Sequence, residues 1–202
     1  MIDYYSNVLN TIKDSLESIP VDLYEQIITE CVETLNNGGK IIASGLGKNV
    51  PICEKFVGTL NSLGIDARFL HTNTAVHGDL GIVGKKDIVF LLSKGGNTSE
   101  TVDLGTHLNE RGTNTWLISF YGNGKASKVV KKKFIMHLIS EGDEWDIVPN
   151  NSTTVYLILL QGIAIEIGKR LGVTLDDFKV NHPGGGIGAR LNVRLSKSIK
   201  LG

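Results

Sequence analysis

Cysteine is nearly absent: Cys31 and Cys53 are the only two, each in a helix-like segment with no close partner. That excludes a disulfide framework and fits buried thiols in a reducing compartment. An excess of charge is also missing. Lys plus Arg and Asp plus Glu each number 21, so the formal net charge is zero, which argues against a nucleic-acid or membrane-surface protein. Long apolar runs are lacking. The longest, Val155 to Ile167, is broken by Gln161, Gly162 and Glu166 and is too short to cross a bilayer. The opening residues, Met1-Ile2-Asp3-Tyr4-Tyr5, show no basic-then-apolar signal pattern, so a cytoplasmic protein is expected. What is present is ordinary for a globular chain: 202 residues, 41% hydrophobic and 21% charged, enough for one domain over 1–202 with a full core.

Residues 2–18 and 21–37 carry apolar residues at helical spacing, separated by Pro20 and stopped by Gly38-Gly39. Strand and helix patterns alternate after that. Strands are predicted at 40–44, 66–70, 87–92, 115–119 and 134–138. Helices are predicted at 50–63, with Pro51 in its first turn, at 99–110, at 124–131 and at 152–170. Residues 71–84 read as a loop-rich crossing, and the tail after Leu171 holds Asp176-Asp177-Phe178 and a Gly-rich stretch at 184–188. The strands are short and apolar without clean alternation, as in a parallel sheet covered on both faces. The fold class expected is α/β: a doubly wound five-stranded parallel sheet flanked by helices, with an N-terminal helical pair over 1–37 packed on it. The helix at 152–170 is apolar nearly all round. It is expected to lie against the sheet on one side and a partner subunit on the other, or else to be the central core helix of a monomer.

Two strands end in glycine-rich turns that open helices. Lys40 to Ser44 runs into Gly45-Leu46-Gly47-Lys48, and Asp87 to Leu92 runs into Ser93-Lys94-Gly95-Gly96-Asn97-Thr98-Ser99-Glu100. Backbone N–H groups, hydroxyls and helix N-termini then converge at one sheet edge, which suits a phosphate. A dinucleotide motif is disfavoured, because G-x-G-x-x-G needs glycine where Val50 stands. Thr98 or Ser99 reads equally as a plain N-cap with Glu100 in the first turn. Asn150-Asn151-Ser152-Thr153-Thr154 opens the long helix with more polar residues than capping requires, shortly after Glu141-Gly142-Asp143-Glu144. That acidic segment is either a solvated loop or part of a site. His77-Gly78-Asp79 and His182-Pro183-Gly184-Gly185 set imidazoles in glycine loops, which suits proton transfer. His71 and His77 lack zinc-site spacing, so no metal is required.

Gly45-Leu46-Gly47-Lys48, His77-Gly78-Asp79-Leu80-Gly81, Ser93-x-x-Gly96-x-Thr98-Ser99-Glu100, Pro149-x-x-Ser152-Thr153-Thr154 and His182-Pro183-Gly184-Gly185 follow one another as in arabinose-5-phosphate isomerases. The chain resembles these sugar isomerase (SIS) domain proteins from about residue 35 to 195. The resemblance implies aldose–ketose isomerisation between arabinose 5-phosphate and ribulose 5-phosphate through an enediol. It implies no cofactor and a homotetramer, a dimer of dimers, with sites at subunit interfaces. It assigns catalysis to Lys48, Glu100, Glu141 and His182, with His77 at the mouth of the site. Glu141 and His182 both remain candidates for the C–H base, with Lys48 as electrostatic partner. Phosphate binding falls to Ser44, Gly47, Asn49, Ser93, Lys94, Gly95, Thr98, Ser152 and Thr153, and an adventitious metal is conceivable at His77 and His182. The chain departs from the pattern at Asn49, where a serine is usual, at Lys94 and Gly95, where Asn and Ser are usual, and at Asn97, where Glu is usual. The paired CBS domains that often follow are not expected. A 6-phospho-3-hexuloisomerase is a second reading, with HGDLG and HPGG against it. A non-catalytic sugar-phosphate sensor is a third, without room for a helix-turn-helix domain.

Overall fold

A computed structural model describes residues 2–198 of the chain. Two N-terminal helices, α1 (Ile2–Glu17) and α2 (Val21–Asn36), precede alternating strands and helices: β1 (Ile41–Gly45), α3 (Asn49–Ser62), β2 (Ala67–His71), α4 (Thr72–Ala75), β3 (Ile88–Leu92), α5 (Ser99–Glu110), β4 (Asn114–Ser119), α6 (Ala126–Val129), β5 (Lys132–Ile135) and α7 (Asn151–Arg170). A 3-10 turn at Asp79–Ile82 interrupts the crossing from α4 to β3, and α8 (Leu175–Val180) and α9 (Gly185–Ser198) close the described chain.

All strand pairs are parallel and the order is β2-β1-β3-β4-β5. The doubly wound, five-stranded sheet that the alternation predicts is therefore present. Successive side chains of a strand point to opposite faces, and both faces are covered. Ile41 and Ala43 join Phe56, Phe90, Trp116 and Tyr156 on the side of α1, α2, α3 and α7. Ile42, Val89, Leu91 and Leu117 meet Leu104 and Leu108 of α5 on the other. Phe56 stacks on Phe90 at 5.7 Å between centroids, and burying each such ring contributes roughly 1.5–3 kcal/mol. Cys31 and Cys53 are free and buried, and burial pushes both thiols up from their ordinary pKa.

Three expectations need correction. The last strand spans 132–135 rather than 134–138. Met136 still donates its N–H to Ser119 O at 3.0 Å, but β4 ends at Ser119 and offers nothing further to pair with. The predicted helix at 124–131 shrinks to α6 between Gly124 and Val130, whose extended backbone leads into β5. The outer side of the long helix is also mostly covered by the chain itself. α1, α2 and α3 all pack on α7, so Val155, Tyr156, Leu159, Leu160, Ile163, Ala164 and Ile167 are buried. Only a narrow apolar stripe remains open, with Ile158 42% and Ile165 60% exposed. No helix among the described residues is long and apolar enough to cross a membrane.

Candidate active site

In open parallel sheets, ligands bind beyond the carboxyl ends of the strands where strand order reverses. Here the chain leaves β1 for β2 on one side and returns as β3 on the other. Gly45 stands level with Leu92 in the ladder, so the turns after β1 and β3 emerge side by side. Asn49 ties them together, its side-chain amide donating to Leu92 O at 3.3 Å. Ser44 is buried, with its hydroxyl 2.8 Å from that of Thr72. Gly47 takes a left-handed φ of 58°, and Lys48 follows it, exposed, at the N-cap position of α3.

The turn after β3 is clamped from below. Lys94 O accepts Ser119 Oγ at 2.8 Å and the Phe120 N–H at 3.1 Å. Gly96, at φ 64°, accepts the Ala126 N–H at 2.8 Å and donates its own N–H to Ser93 Oγ at 3.2 Å. Gly124 lies so close that a Cβ there would be 2.3 Å from Gly95 O. The Gly122-Asn123-Gly124 turn after β4 thus packs directly beneath the turn after β3, and its two glycines shortly after the strand predicted at 115–119 are the signal in the sequence that could have pointed to it. Thr98 caps α5 without a side-chain cap bond, and neither its N–H nor that of Ser99 meets an acceptor among the described residues. Glu100 has its carboxyl held below the usual range by its own backbone N–H and by the Ser99 hydroxyl at 2.8 Å.

Glu141 is the most constrained group. It is 0% exposed, at the N-terminus of α7. Its Oε1 meets Lys94 Nζ at 2.7 Å and Ser152 Oγ at 2.6 Å. Its Oε2 accepts the N–H groups of Ser152 at 2.9 Å and Asn150 at 3.1 Å. Burial alone would raise its pKa. The bonds from Lys94, Ser152 and Asn150 outweigh that and hold the carboxyl below its ordinary value. The anion also sits at the positive end of a 20-residue helix. Asn150 Nδ2 and Asn151 Nδ2 bind Glu141 O and Ser140 O at 3.0 and 3.1 Å. Thr153 turns its hydroxyl back to Asn150 O at 2.8 Å. The following loop is braced as well, since Asp143 accepts N–H bonds from Trp145, Ile147 and Val148.

The two histidines lie apart. His77 is exposed in the loop that follows β2 at the carboxyl edge. His182 stacks on Phe178 at 4.0 Å, with Nδ1 2.8 Å from Phe178 O. The neighbouring Asn181 contacts Ser62 O and lines a cleft with Gly38, Gly39 and Asp66, which lead into β1 and β2. His182 is therefore at the amino edge of its own sheet. One copy of the chain brings together Ser44, Gly47, Lys48, Asn49, Ser93, Lys94, Gly95, Thr98, Glu100, Glu141, Ser152 and Thr153 around that carboxyl edge, without His182. Among the described residues, no group of three or more His, Cys, Asp or Glu is arranged for a metal.

Comparison with known proteins fits this geometry. The SIS domain family model matches residues 34–166. The chain is 30% identical over 206 residues to the arabinose 5-phosphate isomerase KdsD of Pseudomonas aeruginosa, an alignment that takes in 100% of this chain and 63% of that protein. It is 28% identical to the arabinose 5-phosphate isomerase KdsD of Salmonella typhi, over 96% of this chain and 60% of that one. It thus spans less than two thirds of the length of these curated relatives. A solved structure from Escherichia coli CFT073, in complex with a sugar phosphate, superposes with a TM-score of 0.82 at 27% identity, covering 89% of this chain and 94% of the other. The chain belongs to the SIS domain family.

Proposed function

We propose that this chain is a cofactor-independent aldose–ketose isomerase acting on a sugar phosphate, interconverting D-arabinose 5-phosphate and D-ribulose 5-phosphate through an enediol. The observation that carries this is the meeting of three elements at the reversal point of the sheet: the turn after β1, the clamped turn after β3, and the N-terminus of α7 with Glu141 and Lys94. The likeness to KdsD proteins and to a structure that holds a sugar phosphate supports it.

The open N–H groups and hydroxyl at the start of α5 suit the phosphate, with Ser44, Gly47, Asn49, Ser93 and Gly95 forming the wall behind it and Ser152 and Thr153 the wall opposite. Lys48 and Glu100 stand at the rim, the cation stabilising charge and the carboxylate available for proton transfer. His77 guards the mouth. The C–H base is His182, delivered by a second copy, because both oxygens of Glu141 are already engaged. The unit is a homotetramer, a dimer of dimers, in which the stripe of Ile158 and Ile165 is covered. It is cytoplasmic, and residues 1–202 act as one domain. The test is a panel of pentose and hexose phosphates, 6-phospho-3-hexulose included, assayed for aldose–ketose conversion. Turnover of arabinose 5-phosphate supports the reading. Turnover of the hexulose phosphate alone, or of none, refutes it.

A further inference from the structure

A group that removes a proton from carbon needs a free lone pair and a path to substrate. Glu141 has neither. Its two oxygens take four donors, and the side chain is 0% exposed. What the buried carboxylate does is fix an ammonium. Lys94 reaches from the turn after β3 to the start of α7, where Oε1 holds its Nζ at 2.7 Å. Its own carbonyl is held by Ser119 and Phe120, so both ends of the side chain are anchored. The side chain is still 30% exposed. An ammonium has three donors, and among the described residues Nζ has no partner other than Glu141. Two N–H groups are left for a ligand.

Resting on the isomerase reading, we propose that Lys94 binds the carbonyl end of the sugar phosphate and that Glu141 is its positioning residue, not the C–H base. The pair has no net charge, so it has little pull on a phosphate dianion. It does present fixed donors to an oxygen that gains negative charge as the enediolate forms, where a donor that needs no reorganisation is most effective. The substrate class follows: a sugar phosphate whose reacting end is an uncharged carbonyl rather than a carboxylate.

The test is a double-mutant cycle of Lys94→Gln, Glu141→Gln and the double variant, read by solvent deuterium exchange at C2 of arabinose 5-phosphate. Lys94→Gln should slow exchange about 10²-fold. The double variant should match Lys94→Gln within about twofold, because Glu141 then has nothing left to position. Lys94→Arg should recover part of the rate. In calorimetry, the double variant, which keeps the net charge of the pair at zero, should weaken arabinitol 5-phosphate about tenfold or more, the loss expected for a hydrogen bond to a charged group, while shifting inorganic phosphate less than about twofold. If Lys94→Gln does not fold because Glu141 is left without its cation, the double variant, which removes both charges, carries the comparison. A double variant slower than both single variants would make Glu141 a base and overturn the proposal. Equal loss of pentitol phosphate and inorganic phosphate would make Lys94 a phosphate ligand and also overturn it. If the wild type exchanges no phosphosugar, the isomerase reading fails, and the binding comparison alone decides the role of Lys94.

Discussion

Ser152 holds Glu141 twice, with its hydroxyl 2.6 Å from Oε1 and its backbone N–H 2.9 Å from Oε2. The first residues of α7 and the acidic loop before it are therefore one hydrogen-bonded unit. Ser152→Ala removes one bond to a buried charged acceptor and should destabilise the fold by about 1.5–3 kcal/mol. Urea unfolding of the variant against wild type measures it, and an unchanged midpoint would count against the structural role.

The same carboxylate gives stability a pH dependence. Glu141 and Glu30 both have pKa values lowered in the folded state. Burial opposes this in each, and Lys94 for one and Lys132 for the other lead the bonds that overcome it. A depressed folded pKa adds stability that is present above the ordinary carboxylate pKa and lost as pH falls through the folded value. Stability should fall from about pH 4.3 downward. Glu141→Gln should flatten that slope in unfolding curves taken from neutral to acid pH. A slope equal to that of wild type would show that the carboxylate does not titrate with folding.

Gly124→Ala tests the clamp beneath the turn after β3. The added Cβ would lie 2.3 Å from Gly95 O and 2.9 Å from Gly96 Cα, and backbone must move to relieve it. Sugar-phosphate affinity should drop by at least about tenfold, since a displaced loop loses several donors at once. Calorimetric titration with arabinose 5-phosphate reads the change. Wild-type affinity would mean that this turn does not shape the site.

The position of His182 at the amino edge predicts catalysis across subunits. His182→Ala and Lys48→Ala should each lower turnover by about 10²–10⁴, and a mixture of the two, dissociated and reassembled, should regain part of the activity. No regain would place both groups in one copy's site. Ile158→Asp with Ile165→Asp should shift light scattering toward smaller species and reduce turnover along with it.

The sheet was legible because short apolar strands alternate with helices, and Gly45-Leu46-Gly47-Lys48 and Ser93 to Glu100 mark two strand ends on their own. The tail was not. Thr174 and Asp177 form a capping box at the start of α8, a spacing visible in the sequence, yet the glycines at 184–186 masked any helical pattern beyond it. The covering of α7 by α1 and α2 was hidden for a different reason: a helix apolar on nearly all sides looks alike whether its own chain or a second copy covers it. The acidic segment Glu141 to Glu144 stood open between a solvated loop and a site until the family resemblance singled out Glu141, and its partner Lys94 lies far away in sequence and reaches it only through the fold. No local pattern distinguishes a carboxylate held by a distant lysine from one free to take a proton.

The most direct measurement is an NMR time course of wild-type protein with arabinose 5-phosphate in deuterium oxide. The account predicts that ribulose 5-phosphate appears and that deuterium enters at C2 of the recovered aldose, as proton transfer through an enediol requires. Ketose formed with the original hydrogen carried quantitatively from C2 to C1 would contradict the exchange-competent enediol route. No ketose at all from arabinose 5-phosphate would contradict the proposed function itself.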